Sequence, residues 1–400
     1  MPSPRLIARL RRTALAALIA LAAVLALGAT SAGAASLPPE GIFEGCPLDT
    51  EMSTCLERLQ AMRQGGMQVV VIPGYGASLA SLSTYAAAAH ALGMSVMWEL
   101  SSPGWWQDPS TATSMDGQFA AYAAACGCVE NGQLLAYVVH WLAAQPATYG
   151  YYAADDSMLS PGDQAGVAAY VNAIKQADPS HTVMIGAADG AQAGQYQGMA
   201  DLIGTEIYPV TNASLMPVAA NQDMWDSVAQ TAIDAQSLAN RDGKQSAFIL
   251  QAFTWGDNVD DGQAIGVCSP SDTQLSCYDK LQYPSPSAQL QLRNETLLHA
   301  HPKLILWWSF PGTYGQAGSD TYSIYPTGAT AAARWAGLSR AVQAPAPGAT
   351  ARRPRARLAV AAAASHRKKH HTRKHHRKRR KHHRKHHLRR HGRHRRRLRG

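Results

Sequence analysis

Tyr149-Gly-Tyr-Tyr-Ala-Ala-Asp-Asp156 is the stretch on which the fold turns. Aromatic and small residues run for six positions and stop at two adjacent carboxylates, with a polar loop and a helix-like segment beyond. Such a run reads as a buried strand ending at its C-terminal side. In a repeating β/α chain that end lies on the rim where parallel barrels keep their chemistry.

Working outward, seven more runs of the same kind appear. Gly41-Ile-Phe-Glu-Gly45, Met67-Gln-Val-Val-Val-Ile72 and Met94-Ser-Val-Met-Trp-Glu-Leu100 precede the central stretch. His181-Thr-Val-Met-Ile-Gly186, Asp201-Leu-Ile-Gly-Thr-Glu-Ile-Tyr208, Ser246-Ala-Phe-Ile-Leu-Gln-Ala-Phe253 and Lys303-Leu-Ile-Leu-Trp-Trp-Ser-Phe310 follow it. Between them, apolar residues at helical spacing predict helices over 51–64, 78–91, 115–126, 132–144, 165–177, 222–240, 287–299 and 327–342. Eight strands alternating with helices predict an α/β chain, a (β/α)8 TIM-type barrel of about 250 residues plus insertions. An open doubly wound sheet is the competing architecture. It calls for a Gly-rich phosphate turn, of which Pro73-Gly-Tyr-Gly76 is a poor version.

Both ends have other compositions. Residues 1–35 hold a basic opening, an apolar run from Ala14 to Leu27 and the small residues Ser31-Ala-Gly-Ala34, the layout of a cleavable secretory signal. An uncleaved anchor is the alternative; no other run nears the ~20 apolar residues of a spanning helix. The barrel is expected over 36–342, an Ala/Pro/Gly linker over 343–365, and a disordered His/Lys/Arg tail over 366–400. The formal charge of +10 misleads. With four arginines of the signal and the 23 Lys and Arg after position 351 set aside, ten basic residues face 27 acids, a net charge near −17 for the middle. An acidic body thus carries a polycationic tail. That tail suits a dense polyanion, for an exported chain an anionic wall polymer or lipid headgroup; nothing points to a specific nucleic acid. Its eleven histidines would add charge in acid and take up zinc or copper weakly. The six cysteines fall in local pairs, 46/55, 126/128 and 268/277, which in an exported chain read as disulfides clipping rim loops. The Cys-x-Cys pair is the least comfortable of these.

Barrel closure would gather the strand ends onto one face. Those ends supply Glu44, Glu99, Asp155, Asp156 and Glu206, with Asp257 just past strand seven. Trp105, Trp106, Tyr152, Tyr208, Trp255, Trp307 and Trp308 accompany them. Carboxylates ringed by aromatics are what glycoside cleavage requires: one acid protonates the leaving oxygen, another attacks or activates water, and flat rings pack on sugar faces. Each residue also has a plainer reading. Asp155-Asp156 would cap the next helix, and one of Trp307 and Trp308 must pack in the core because neighbours on a strand point to opposite faces. By the same alternation one of Asp155 and Asp156 overlooks the mouth; Asp156 is the choice, with Asp155 orienting it.

Over roughly residues 40–342 the chain resembles the secreted (β/α)8 glycoside hydrolase superfamily. The resemblance rests on Tyr151-Tyr-Ala-Ala-Asp-Asp156, on Asp201-Leu-Ile-Gly-Thr-Glu-Ile-Tyr-Pro209 and on Leu304-Ile-Leu-Trp-Trp308. It implies an acid at Asp156 with a partner at Glu206, sugar stacking by Trp307 or Trp308, a polysaccharide substrate, and neither metal nor cofactor. The remaining expected substrate contacts are Glu44, Glu99, Trp105, Trp106, Tyr208 and Trp255. The sequence departs from the common pattern in having no Asn-Glu pair at strand four and no glutamate at the end of strand seven. The expected protein is a monomeric exported glycosidase held at the cell envelope. A glycan-binding or envelope-structural barrel without chemistry is the alternative.

Overall fold

The computed structural model describes residues 37–101, 119–156, 159, 162–210, 222–253, 269–271, 283–308 and 329–347. Residues 1–35 and 366–400, most of the linker, Trp105, Trp106, Trp255, Asp257 and the 268/277 cysteine pair lie outside them. Among the described residues no helix is long and apolar enough to cross a membrane.

From Glu40 onward the chain closes eight parallel strands in sequence order into a barrel. They are β1 (Glu40–Phe43), β2 (Val69–Pro73), β3 (Ser95–Glu99), β4 (Thr148–Ala154), β5 (Thr182–Ala187), β6 (Leu202–Ile207), β7 (Gln245–Gln251) and β8 (Leu304–Trp308). Closure, with Ile42 of β1 beside Trp307 of β8, replaces the open sheet weighed above. Both faces of such strands are covered, which is why β2 is a nearly unbroken run of β-branched residues. Alternate residues turn inward: Phe43, Val71, Met97, Tyr152, Met184 and Ile249 belong to the cluster that fills the barrel. The outward residues, such as Ile42, Trp98, Tyr151 and Phe248, pack with the helices in a second cluster.

The helices are α1 (Leu48–Gln64), α2 (Leu79–Ala91), α3 (Ala120–Cys126), α4 (Asn131–Ala143), α5 (Gln164–Ala177), α6 (Gly190–Gln195), α7 (Gln222–Arg241), α8 (Pro286–His299) and α9 (Ala329–Val342). Local capping accounts for several starts. Ser78 accepts from the Ser81 amide, and Ser285 from the Ala288 amide with Pro286 in the first turn. The one-turn α6, which apolar periodicity does not reveal, exists because Asp189 caps the amides of Ala191 and Gln192. Cys46 is bonded to Cys55, tying the loop after β1 to α1, and the awkward Cys126–Cys128 pair is closed as well.

A buried polar contact bolts the seam. Glu40 of β1 accepts from Arg293 Nε of α8 at 2.5 Å and from the indole N–H of Trp307 of β8 at 3.0 Å. Arg293 is fully buried and Glu40 is 4 % exposed. Burial raises the Glu40 carboxyl above the usual carboxylate range against the pull of Arg293. Nη1 and Nη2 of Arg293 have no partner among the described residues.

Truncating one member of this pair strands a buried charge. Arg293→Met alone is expected to cost about 3–5 kcal/mol, whereas Arg293→Met with Glu40→Leu recovers most of it. Urea unfolding of the two variants checks this; equal losses would show that the pair contributes packing and nothing electrostatic.

Candidate active site

The C-terminal end of β4 sets the site. Tyr151 points outward and donates its hydroxyl to Asp178 at 2.7 Å, while Tyr152 points into the barrel with 1 % of its surface exposed. The β4–β5 register shifts between Tyr152 and Ala154, and Ala153 and Ala154 both pack into the outer cluster. Simple alternation is lost there. Asp155 and Asp156 follow, half-buried, and both reach the mouth instead of the single one that alternation predicts.

On β6, Leu202, Gly204 and Glu206 are the inward positions, and Tyr208 continues the row. Oxygens of Asp155, Asp156 and Glu206 lie within 4.8 Å of one another. This is the one such acid cluster among the described residues. Three like charges at that spacing need a shared counter-charge, whether a proton or a small cation. Burial first, then the charges of Asp156 and Asp155, push the Glu206 carboxyl up to about 9, outweighing a hydrogen bond from Tyr208. Glu206 therefore holds a proton at neutral pH. The resemblance implies an acid at Asp156 with a partner at Glu206, and the structure brings the two together, with the Glu206 carboxyl raised.

Two tyrosines line the trio. Tyr152 donates to Asp155 Oδ1 at 2.5 Å. Tyr208 is hydrogen-bonded to Glu206 and stands edge-on to Phe253, with ring centroids 4.9 Å apart. Burial, and then the neighbouring carboxylates, hold both phenols well above their ordinary range, so they stay protonated donors. Beneath them Phe43 packs against the edge of Tyr152 and against Trp308, at centroid distances of 5.3 Å and 4.6 Å.

The other sequence candidates separate by face. Glu99, the inward last residue of β3, sits opposite Tyr152 in register. Its Oε1 accepts from Ser101 Oγ at 2.6 Å and from the Tyr75 hydroxyl at 3.4 Å. Trp308 is inward and half-buried. Trp307 is fully buried on the outer face, bound to Glu40, and does not meet the site. Glu44 is also turned away, since Phe43 before it takes the inward position. It lies 2 % exposed with Arg58 Nη1 3.4 Å away, and burial brings its carboxyl up to about 7. Trp105, Trp106 and Trp255 fall outside the described residues.

Sequence reasoning passed over two residues at the mouth. Gln251, the last residue of β7, is fully buried; it accepts from the Val210 amide at 2.8 Å and donates to the Val210 carbonyl at 2.8 Å and the Phe253 carbonyl at 3.2 Å. It stands at the strand-seven end that lacks a glutamate, and a neutral amide at a strand end is a weak signal in the sequence. Gly186 of β5 is the second: a β-carbon there would lie 1.9 Å from the Tyr152 hydroxyl. A glycine inside a strand was the available signal.

The sequence matches no family model and no curated protein. Solved structures do resemble the fold. The cold-adapted β-galactosidase from Rahnella sp. R3 superposes with a TM-score of 0.50 at 10 % identity, over 78 % of this chain and 56 % of that one. The endo-1,4-β-D-mannanase of Thermotoga petrophila RKU-1 gives 0.41 at 12 % identity, over 72 % and 92 %. The GH2 β-galacturonidase of Eisenbergiella tayi gives 0.48 at 13 %, over 77 % and 51 %. This chain thus spans about half the length of the galactosidase and the galacturonidase. At these identities the likeness is one of fold.

Glu206 makes stability depend on pH with a definite sign. Its carboxyl titrates near 9 in the folded chain against an ordinary 4.5, so between those values the folded state holds a proton that the unfolded state has released. Stability from this residue is intact below the lower value and falls as pH rises toward the upper. Glu206→Gln removes that slope, so thermal melts at pH 5, 7 and 9 are expected to show the variant gaining on the native chain as pH rises. A gap that stays constant across the three would contradict the protonated glutamate.

Proposed function

We propose that this protein is a glycoside hydrolase acting on a polysaccharide, with Glu206 as the proton donor and Asp156 as the second carboxylate. The observation that supports it is the trio itself: a carboxyl that burial keeps protonated, within 4.8 Å of acids that carry the charge, at the C-terminal mouth of a barrel. Glu206 gives its proton to the glycosidic oxygen as the bond to the anomeric carbon breaks. Asp156 attacks that carbon, forming a glycosyl ester, and Glu206, now ionised, takes a proton from the water that releases the sugar. The oxygen spacing lies nearest the roughly 5–5.5 Å of retaining enzymes rather than the ~6.5–9.5 Å that leaves room for a water in inverting ones. Trp308 and Tyr208 offer ring faces for the sugar, and Glu99 a tethered acceptor for its hydroxyls. Export by residues 1–35 and retention at a polyanionic envelope by residues 366–400 belong to the same proposal.

A second reading, a barrel that holds glycan without cleaving it, is favoured by Gln251, an amide where many barrel hydrolases place an acid. Asp156→Asn and Glu206→Gln separate the two. On a panel of plant, fungal and bacterial wall glycans, each substitution is expected to lower reducing-end release by about 100- to 10,000-fold. The native alkaline limb should lie near the Glu206 value of about 9, and the first-formed product should keep its anomeric configuration. Binding without release in the native chain would decide for the second reading.

A further inference from the structure

The ladder between β6 and β7 runs in register from Leu202 beside Gln245 to Ile207 beside Leu250. Two residues past its end stands Pro209, which has no N–H to give. The side chain of Gln251 takes over there. Its amide oxygen accepts the Val210 N–H at 2.8 Å, and its amide nitrogen donates to the Val210 carbonyl at 2.8 Å and to the Phe253 carbonyl at 3.2 Å. The Val210 N–H can only donate, which fixes the oxygen on that side, and both hydrogens of the amide nitrogen are then used. Gln251 is fully buried and Val210 is 1 % exposed, so losing the amide would leave the Val210 backbone groups unsatisfied away from water.

This clamp carries a tyrosine of the site. Val210 lies two residues after Tyr208 and Phe253 two after Gln251, and the rings of Tyr208 and Phe253 meet edge-on with centroids 4.9 Å apart. Tyr208 in turn is hydrogen-bonded to Glu206. The chemistry required at 251 is narrow. A carboxylate could accept from Val210 but would face two carbonyl oxygens with nothing to donate, and an apolar side chain would serve none of the three groups. We infer that Gln251 is a positioning residue that ties the chain beyond β6 to the chain beyond β7 and so holds the Tyr208 hydroxyl on Glu206. Its bearing on catalysis rests on the glycosidase proposal. The clamp itself does not, because it can be read without substrate.

Burial, Asp156 and Asp155 raise the Glu206 carboxyl, and the Tyr208 hydrogen bond lowers it. Loss of that bond therefore moves Glu206 in one direction, upward. The test is a 13C NMR titration of side-chain carboxyl carbons in the full chain, with the Glu206 signal assigned by its disappearance in Glu206→Gln. Tyr208→Phe should raise the midpoint by about half to one pH unit. Gln251→Met, similar in length but without the amide, should raise it too, and the double variant should go no higher than Tyr208→Phe alone. A midpoint that stays put or falls in either single variant would overturn the inference, since general loosening admits water and lowers it. Shifts that add in the double variant would overturn it as well. Gln251→Glu provides a second arm that decides even where Gln251→Met is too unstable to titrate. Protonated, the new side chain keeps an acceptor for Val210 and a donor for one carbonyl; ionised, it has no donor. Its Tm deficit against the native chain should therefore widen between pH 5 and pH 8, as a carboxyl with a raised folded-state pKa loses stability on ionising. A deficit constant over that range would mean that the side chain at 251 does not serve the backbone, and the clamp would fall. If no glycan is cleaved while both results hold, the glycosidase proposal fails and the clamp stands.

Discussion

A barrel is closed or it is not a barrel, and here the β1–β8 pairing that closes it is bolted by a buried contact. Glu40 near the start of the fold binds Arg293, which is 253 positions later, and shares that contact with Trp307 on the last strand. A carboxylate and a guanidinium taken out of water are costly unless they meet, so neither β1 nor α8 is comfortable until the whole ring between them is in place. The mouth depends on that ring. Tyr152, Glu206 and Trp308 stand on the fourth, sixth and eighth strands, and only a complete circle turns them toward a common axis.

At the mouth the governing term is crowding of like charge in a partly enclosed space. Two aspartates and a glutamate whose oxygens approach within 4.8 Å cannot all be ionised cheaply. Glu206, on which burial and the charges of Asp156 and Asp155 act together, keeps its proton, and the two tyrosines, too deeply placed to ionise, can only donate. The same physics that would be a liability in a structural strand is what a proton donor in glycoside cleavage requires.

Much of this was legible in the sequence. The eight strands appear where unbroken apolar runs end in polar rims, and Glu206 announced itself as an acid within such a run. Trp307 and Trp308 had to divide between core and mouth, since adjacent strand residues face opposite ways. Which of them faced inward depended on the register with β1, which no local pattern contains. Glu44 looked like a rim acid until Phe43 took the inward position. For Asp155 and Asp156, alternation is a poor guide because the strand has lost its register at Ala154. Gln251 and Gly186 carried weak signals: an amide at a strand end, and a glycine within a strand whose meaning lies in a tyrosine on the neighbouring strand.

By itself, then, the sequence determined the number, order and ends of the strands, the acidic body between two basic termini, and the acids available to the rim. These follow from periodicity and composition, which are local. The tertiary structure alone decided which acids meet, which one is protonated, and which tyrosine holds its neighbour. Those depend on burial and on distances of a few ångströms between strands far apart in the chain. Desolvation and charge repulsion act through space, and so the assignment of the proton had to await the fold.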